Sequence, residues 1–113
     1  MKGIGVDIVE ISRIKAISKR EKFVGKILSE QEKSIYVNLK SEKRQLEYLA
    51  GRFAMKEAIY KAAPHICKGK QFTEFSILND ETGAPYLEET MDATFMMTLS
   101  HSENYVVAFA VCT

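Results

Sequence analysis

Apolar and polar residues alternate in the first segment of the chain, KGIGVDIV at residues 2–9. Ile4, Val6 and Ile8 share one face, while Asp7 shares the other face with two glycines. A period of two is typical of a β-strand, in which successive side chains point to opposite faces. The pattern predicts a strand that ends near Asp7.

Helices are predicted to follow this strand. Isoleucines recur every third residue over residues 11–17, which is the change of period expected where a strand gives way to a helix. Ser29 and Glu32 stand in the positions of a capping box and predict the start of a short helix. Ser41 is expected to cap a long helix, and Pro64 to stop it, because proline lacks an amide hydrogen and clashes with the preceding turn.

The second half of the chain changes to strand patterns. Residues 73–78 and 84–87 flank the turn-forming segment NDETG at residues 79–83, which indicates a hairpin. Residues 94–112 read as two further strands joined by a short turn. Helices that precede strands in this way predict an α+β fold with an antiparallel sheet, and residues 1–113 are expected to form a single domain.

The composition is that of an ordinary globular protein, with 46% hydrophobic residues, 27% charged residues and a net charge of +1. This balance argues against a nucleic-acid binder, which should carry a marked basic excess. The two cysteines, Cys67 and Cys112, form neither a disulfide framework nor a metal-ligand pair, and suit a reducing compartment. Without a signal-peptide pattern or an apolar run of membrane-spanning length, we expect a cytoplasmic protein with no membrane partner.

Positive charge is concentrated near the start of the chain. Between residues 13 and 26, six basic residues face Glu21 alone: Arg13, Lys15, Lys19, Arg20, Lys22 and Lys26. Such a segment favours an acidic partner, and it is equally compatible with a solvated helix face.

The long helix carries an acid where its pattern asks for an apolar residue. On a helical wheel Glu57 falls among the apolar positions Leu46, Ala50, Phe53 and Tyr60. A lone inward carboxylate is expensive to bury, so an ionised Glu57 needs a cation. The cation is either Lys61, one turn later in a helical ion pair, or a metal ion.

Asp7 is a second acid in an apolar setting, and a divalent ion could join it to Glu57. Magnesium prefers oxygen ligands and keeps several waters, so two carboxylates and a substrate phosphate suffice for a site. Lys61 would then be a point charge for that phosphate, with Lys56 or Arg52 available for a neighbouring one. The glycines beside Asp7 would let backbone approach closely, although an aspartate at a strand end more often caps the next helix.

His101 lies in the segment TLSHS, residues 98–102, at the end of a predicted strand. It could donate to a phosphate or to a reacting group. Considered alone, His101 is better explained as a turn histidine satisfied by the neighbouring hydroxyls.

Three segments together carry a resemblance to a known family: GIGVDIVEISRI at residues 3–14, GRFAMKEAIYKA at residues 51–62, and TLSHS. In content, order and separation they closely resemble the holo-acyl-carrier-protein synthases, which are small bacterial phosphopantetheinyl transferases. The resemblance covers nearly the whole chain. It implies the fold of that family and makes the metal-binding reading of Glu57 the better one.

The resemblance also implies roles for individual residues. Asp7 and Glu57 are expected to hold Mg²⁺, and Lys61 to lie near the pyrophosphate of coenzyme A. Arg13 falls on the carrier-binding arginine of the family, and Arg20, seven residues later, is expected on the same face of a basic helix. Family members are typically homotrimers with active sites between protomers.

The implied reaction moves 4′-phosphopantetheine from coenzyme A to a serine of an apo acyl carrier protein, as in fatty acid biosynthesis, and releases adenosine 3′,5′-bisphosphate. This is a phosphoryl transfer, which depends on positioning and on charge stabilisation by the metal and Lys61. The base that takes the serine proton is either a metal-bound water or Glu57.

One departure from the family lies at residues 63–70, APHICKGK, where many relatives have a Gly-rich loop. Lys68 and Lys70 would have to supply side-chain charge to the nucleotide end of coenzyme A, with His101 as a third contact. Two rival functions are a non-catalytic carrier-binding module and a magnesium-dependent nucleotide phosphohydrolase. The intact acids count against the first, and the basic segment would lack a purpose in the second.

Overall fold

The computed structural model describes residues 2–89 and 91–113. The elements in chain order are β1 (Gly3–Glu10), α1 (Ile11–Lys15), α2 (Arg20–Ile27), α3 (Glu30–Val37), α4 (Glu42–Ala62), α5 (Pro64–Cys67), a 3-10 turn (Phe72–Glu74), β2 (Ile77–Asn79), β3 (Pro85–Leu87), β4 (Phe95–His101) and β5 (Tyr105–Cys112). One antiparallel sheet has the strand order β1-β5-β4, and β2 and β3 form a separate hairpin. The predicted α+β class is therefore confirmed.

The long helix α4 packs closely against the inner face of the three-stranded sheet because small residues lie where the two backbones meet. Alanines recur every fourth residue along the buried side of the helix, at Ala50, Ala54, Ala58 and Ala62. A methyl group added to Gly3 or Gly5 of β1 would collide with the carbonyl oxygen of Ala62 or Ala58, respectively. The two glycines thus bring the backbone of the strand directly against the helix, and Asp7 follows on the same face.

The outer face of the sheet is apolar and exposed. Ile8 is 63% exposed and Met96 is 65% exposed, and the register places further large apolar side chains between them. The exposed set is Ile4, Val6, Ile8, Met96, Tyr105, Val107 and Phe109. An exposed apolar area shared by neighbouring strands marks an interaction surface.

Several sequence-based boundaries are confirmed. Ser29 accepts a hydrogen bond from the amide of Glu32 and the Glu32 carboxylate accepts one from the amide of Ser29, which completes the capping box. Ser41 caps α4 by accepting from the amide of Arg44, and α4 ends two residues before Pro64. In the β2–β3 turn, Asp80 accepts from two backbone amides.

Other predicted boundaries are wrong. The first strand does not end near Asp7 but continues to Glu10, because β5 pairs with it along its whole length and places Ala108 opposite Asp7. Residues 73–76 are not strand, since the hairpin begins at Ile77. Pro64 does end α4, yet it also starts the short helix α5 rather than a loop, as suits proline at a first helical position.

The basic segment is not one helix, contrary to the expectation that placed Arg13 and Arg20 on a common face. α1 ends at Lys15 and α2 begins at Arg20. A continuous helix would turn Ser18 and Glu21 toward the core beside Ile14, whereas the break leaves both exposed. No helix among the described residues is long and apolar enough to cross a membrane.

Candidate active site

Asp7 and Glu57 face a common cavity of about 430 Å³ at the contact between β1 and α4. Asp7 comes from the middle of the strand, and Glu57 from the third quarter of the helix. Arg13 lines one side, and apolar walls come from Ile14, Ile17, Phe23 and Phe53 among others. The structure thus brings together the two acids that the sequence singled out.

The two carboxyl groups influence each other electrostatically. Burial raises the pKa of Glu57 above its usual value, the negative charge of Asp7 raises it further, and the positive charge of Lys61 opposes both effects. A cation held between the acids would relieve this repulsion. No group of three or more histidine, cysteine or acidic side chains among residues 2–89 and 91–113 could hold a metal. Two carboxylates at one cavity have the chemistry that Mg²⁺ requires, since it takes one or two carboxylates and leaves its other positions to water and phosphate.

Lys61 pairs with Asp7 across the strand–helix contact. Its Nζ lies 3.1 Å from Asp7 Oδ1 and donates to the carbonyl oxygen of Val6 at 3.0 Å. The helical ion pair with Glu57 is not among the salt bridges of the described residues. Because its side chain is 53% exposed, the ammonium group is also accessible to an anion.

Lys56 does not serve a phosphate, contrary to one sequence-based suggestion. Its side chain is fully buried, and its Nζ lies 2.6 Å from Glu32 Oε1. It also donates to the carbonyl oxygens of Ile27, Phe72 and Phe75 at 2.8, 2.7 and 2.9 Å, respectively. An ammonium group has three hydrogens, so four protein acceptors leave none for a ligand. Burial lowers the pKa of Lys56, and the charge of Glu32 acts against this.

Arg52 is likewise a buried structural residue. It donates to the carbonyl oxygen of Ile77 at 3.0 Å and to the side-chain oxygen of Asn79, and its guanidinium lies 4.4 Å from the centre of the Tyr48 ring. These contacts tie α4 to the β2–β3 hairpin. Arg52 lines a second cavity, of about 460 Å³, instead of the one that holds Asp7 and Glu57.

The other candidate residues lie away from the acid pair within one chain. His101 is exposed at the end of β4 and lines the second cavity together with Arg44 and Arg52. Lys68 and Lys70 are exposed beyond α5, on either side of Gly69, whose φ of 83° favours glycine. None of these three residues lines the cavity of Asp7 and Glu57.

Arg13 and Arg20 come from different helices but flank a shared apolar residue. Arg13 is exposed and lines the cavity of the acid pair. Arg20 lines an adjoining cavity of about 750 Å³, and Ile17 lines both. Arg20 also donates to Glu42 at 3.1 Å. The basic surface next to the acids is thus built from both helices and the turn between them.

The buried pair of Glu32 and Lys56 was not predicted from the sequence. The capping box gave Glu32 one partner, the Ser29 amide, but the carboxylate also accepts from the Ile77 amide at 2.8 Å and from Lys56. The available signal was the position of Lys56 on the helix face that also carries Leu49 and Ile59, where a cation requires an acid.

Residues 3–110 match the family described as the 4′-phosphopantetheinyl transferase superfamily. The chain belongs to this family. It is similar to the holo-[acyl-carrier-protein] synthase of Acholeplasma laidlawii, with 44% identity over 110 residues that cover 96% of this chain and 92% of the relative. The family prediction made from the three sequence motifs is confirmed.

Solved structures of the superfamily share the fold. A holo-(acyl-carrier-protein) synthase from Bacillus anthracis, in complex with CoA (3′,5′-ADP), superposes with a TM-score of 0.87 at 38% identity, covering 98% of this chain and 95% of that one. The Helicobacter pylori holo-[acyl-carrier-protein] synthase in complex with coenzyme A gives a TM-score of 0.77 at 28% identity, covering 97% and 99%. This phosphopantetheinyl transferase therefore resembles these relatives over nearly their full length.

Proposed function

We propose that the protein transfers 4′-phosphopantetheine from coenzyme A to a serine of an apo acyl carrier protein and releases adenosine 3′,5′-bisphosphate. The observation that carries this proposal is the convergence of Asp7, Glu57 and Lys61 at one strand–helix contact, in a chain of the phosphopantetheinyl transferase superfamily. The product would serve fatty acid biosynthesis in the cytoplasm.

Asp7 and Glu57 would hold Mg²⁺, which supplies positive charge to the pyrophosphate of coenzyme A when bound. Lys61 would contribute a second positive charge, since its half-exposed ammonium group lies 3.1 Å from Asp7, which lines this cavity. Of the chain's own groups, Glu57 is the candidate to accept the proton of the attacking serine, since its carboxylate lines the cavity beside Asp7. The apolar walls formed by Phe23 and Phe53 would limit access of water to the reacting phosphorus.

A direct test incubates the protein with coenzyme A, Mg²⁺ and an apo acyl carrier protein, and then measures the mass of the carrier. A gain of one phosphopantetheine group is expected. An unchanged carrier that nevertheless binds would support the non-catalytic binding module. Breakdown of coenzyme A without any gain by the carrier would support the nucleotide phosphohydrolase.

The basic surface beside the cavity is proposed to dock the carrier, because acyl carrier proteins are acidic. Arg13 lines the same cavity as the acid pair. Arg20 and the apolar Ile17 extend the surface over the neighbouring cavity. Charge would guide association, and apolar contact would hold the complex.

Reversing the charge of Arg13 tests this docking. Arg13→Glu is expected to weaken carrier binding by about 1–3 kcal/mol, because an acid would face an acidic partner, while binding of coenzyme A stays unchanged. Titration of the two ligands in separate calorimetric experiments measures both effects. If the wild-type association rate does not fall as salt is added, electrostatic docking is the wrong explanation.

We also propose a homotrimer with active sites between protomers. The exposed apolar face of the three-stranded sheet supports an assembly, since β1 alone exposes Ile4, Val6 and Ile8 to solvent. In a shared site, His101 would act on the substrate held by the acid pair of an adjacent protomer, since within one chain it lines a different cavity from Asp7 and Glu57. A monomer in sedimentation equilibrium at micromolar concentration would contradict this arrangement.

Lys68 and Lys70 are proposed to bind the 3′-phosphate of coenzyme A, together with His101. Both lysines are exposed next to Gly69. The double substitution Lys68→Ala/Lys70→Ala is expected to raise the Michaelis constant for coenzyme A, with about 1 kcal/mol lost per flexible, exposed charge. Dephospho-coenzyme A lacks the 3′-phosphate and is the control. Equal shifts for the two substrates would contradict a contact with that phosphate.

A further inference from the structure

Glu42, at the start of α4, lies between two cations of the basic surface. Its Oε2 accepts a hydrogen bond from Arg20 at 3.1 Å, and its Oε1 lies 4.0 Å from Lys15 Nζ. Arg20 also donates to the backbone carbonyl oxygen of Lys15 at 3.3 Å. A single carboxylate therefore neutralises part of the surface that would face an acidic carrier.

We propose that Glu42 is an internal competitor for the carrier protein: it occupies Arg20 in the free enzyme, and docking of an acidic helix or loop displaces it. Glu42 would then set the affinity for the carrier without taking part in the transfer step. This inference rests on the proposed function, and on Arg20 belonging to the docking surface.

The ion pair is open enough to be exchanged. The side chains of Arg20 and Glu42 are 26% and 54% exposed, and ion pairs at such sites are weak because water and salt screen them. Lys15 and Arg20 together carry two positive charges. The negative charge of Glu42 reduces the net charge of this group to one. Removal of the acid should therefore strengthen the attraction for an acidic partner.

Arg20 has a further reason to change partners. Its Nε is buried and donates to no acceptor in the part of the chain that the structure describes. A buried donor without an acceptor is costly, and each terminal nitrogen makes one hydrogen bond, to a carboxylate or to a carbonyl oxygen, which leaves one hydrogen on each of them for a further acceptor. An incoming carboxylate could bind the guanidinium through two parallel hydrogen bonds, which is the geometry that arginine favours.

The test uses Glu42→Gln in the full-length enzyme, in steady-state transfer with saturating coenzyme A and Mg²⁺ at low salt. The Michaelis constant for the apo carrier is expected to fall roughly two- to fivefold, because a charge at the rim of an interface acts mainly on association. The maximal rate and the Michaelis constant for coenzyme A should stay the same. An increase in the Michaelis constant for the carrier would overturn the proposal, since it would show that Glu42 orients Arg20 for binding.

A matched control separates the loss of the Glu42 ion pairs from the loss of a negative charge near the same surface. Glu103→Gln removes the same charge from a residue that lines the same small cavity as Glu42, yet Glu103 forms no salt bridge with Lys15 or Arg20 among the described residues. This variant should behave like the wild type. An equal decrease in the Michaelis constant for the carrier in both variants would assign the effect to the overall electrostatic potential of the surface. That result would overturn the competitor role.

A double-mutant cycle identifies the cation for which Glu42 competes. In an Arg20→Gln background, Glu42→Gln should no longer lower the Michaelis constant for the carrier. If Glu42→Gln lowers this Michaelis constant in the Arg20→Gln background by the same factor as in the wild type, competition for Arg20 is contradicted. If the wild-type protein transfers no phosphopantetheine at all, the proposed function fails and this inference with it. If the wild type transfers phosphopantetheine but Glu42→Gln leaves the Michaelis constant for the carrier unchanged, the competitor role is refuted and the proposed function stands.

Discussion

Replacing Glu57 with glutamine is expected to reduce phosphopantetheine transfer at least about a hundredfold at limiting magnesium. The amide keeps the shape of the side chain but loses the negative charge that would hold the metal and accept a proton. Folding should not suffer, because burial and Asp7 already disfavour the ionised form of Glu57, as its raised pKa shows.

The assay compares carrier modification at several magnesium concentrations with thermal unfolding of the same samples. Glu10→Gln is the matched control, since Glu10 lines the same cavity and has no proposed role. Near-normal transfer by Glu57→Gln at limiting magnesium would contradict the metal site. A large loss of thermal stability would instead assign Glu57 a structural role.

Lys56→Met is expected to lower the free energy of unfolding by about 3–5 kcal/mol, because it leaves the Glu32 carboxylate buried without its cation. The fully buried Lys56 also serves three backbone carbonyl oxygens that would lose their donor. Since small domains unfold at a cost of only about 5–15 kcal/mol, much of the stability would be lost. Urea denaturation followed by circular dichroism measures the change.

The control for Lys56→Met is a second lysine-to-methionine substitution in α4. Lys61→Met removes a half-exposed ion pair with Asp7, and its cost should stay below about 1 kcal/mol. Adding Glu32→Gln to Lys56→Met should restore part of the lost stability, because the uncompensated charge is then gone. Equal stabilities for the Lys56 and Lys61 variants would refute the structural role of the buried pair.

The family and the acid pair could be predicted from the sequence because each depends on local signals. The alternation around Asp7 defined the face that it shares with the glycines, and the helical period placed Glu57 on the side that meets the strand. Caps at Ser29 and Ser41 act within four residues, so their side-chain chemistry was sufficient to locate two helix starts.

Features set by tertiary contact could not be predicted. Asp7 lies within its strand because β5 pairs along all of β1, and no residue near Asp7 encodes the length of that partner. The acceptors of Lys56 come from the end of α2, from α3 and from residues 72–75, which meet around this side chain only in the folded protein. The break between Lys15 and Arg20 could, however, have been predicted from the sequence, since Ser18 is polar at a position that a continuing helix would bury.

The contact of Gly3 and Gly5 with α4 affects how loss-of-function variants of this enzyme should be read. Asp7 and Glu57 lie on opposite sides of that contact, so their separation depends on two positions that have no side chain. A methyl group at Gly5 would push the strand away from Ala58 and move the acids apart, although neither carboxylate had been altered. In a mutational screen scored by activity, position 5 would be indistinguishable from a metal ligand, and only a measurement of metal affinity alongside stability would show that it acts as a spacer.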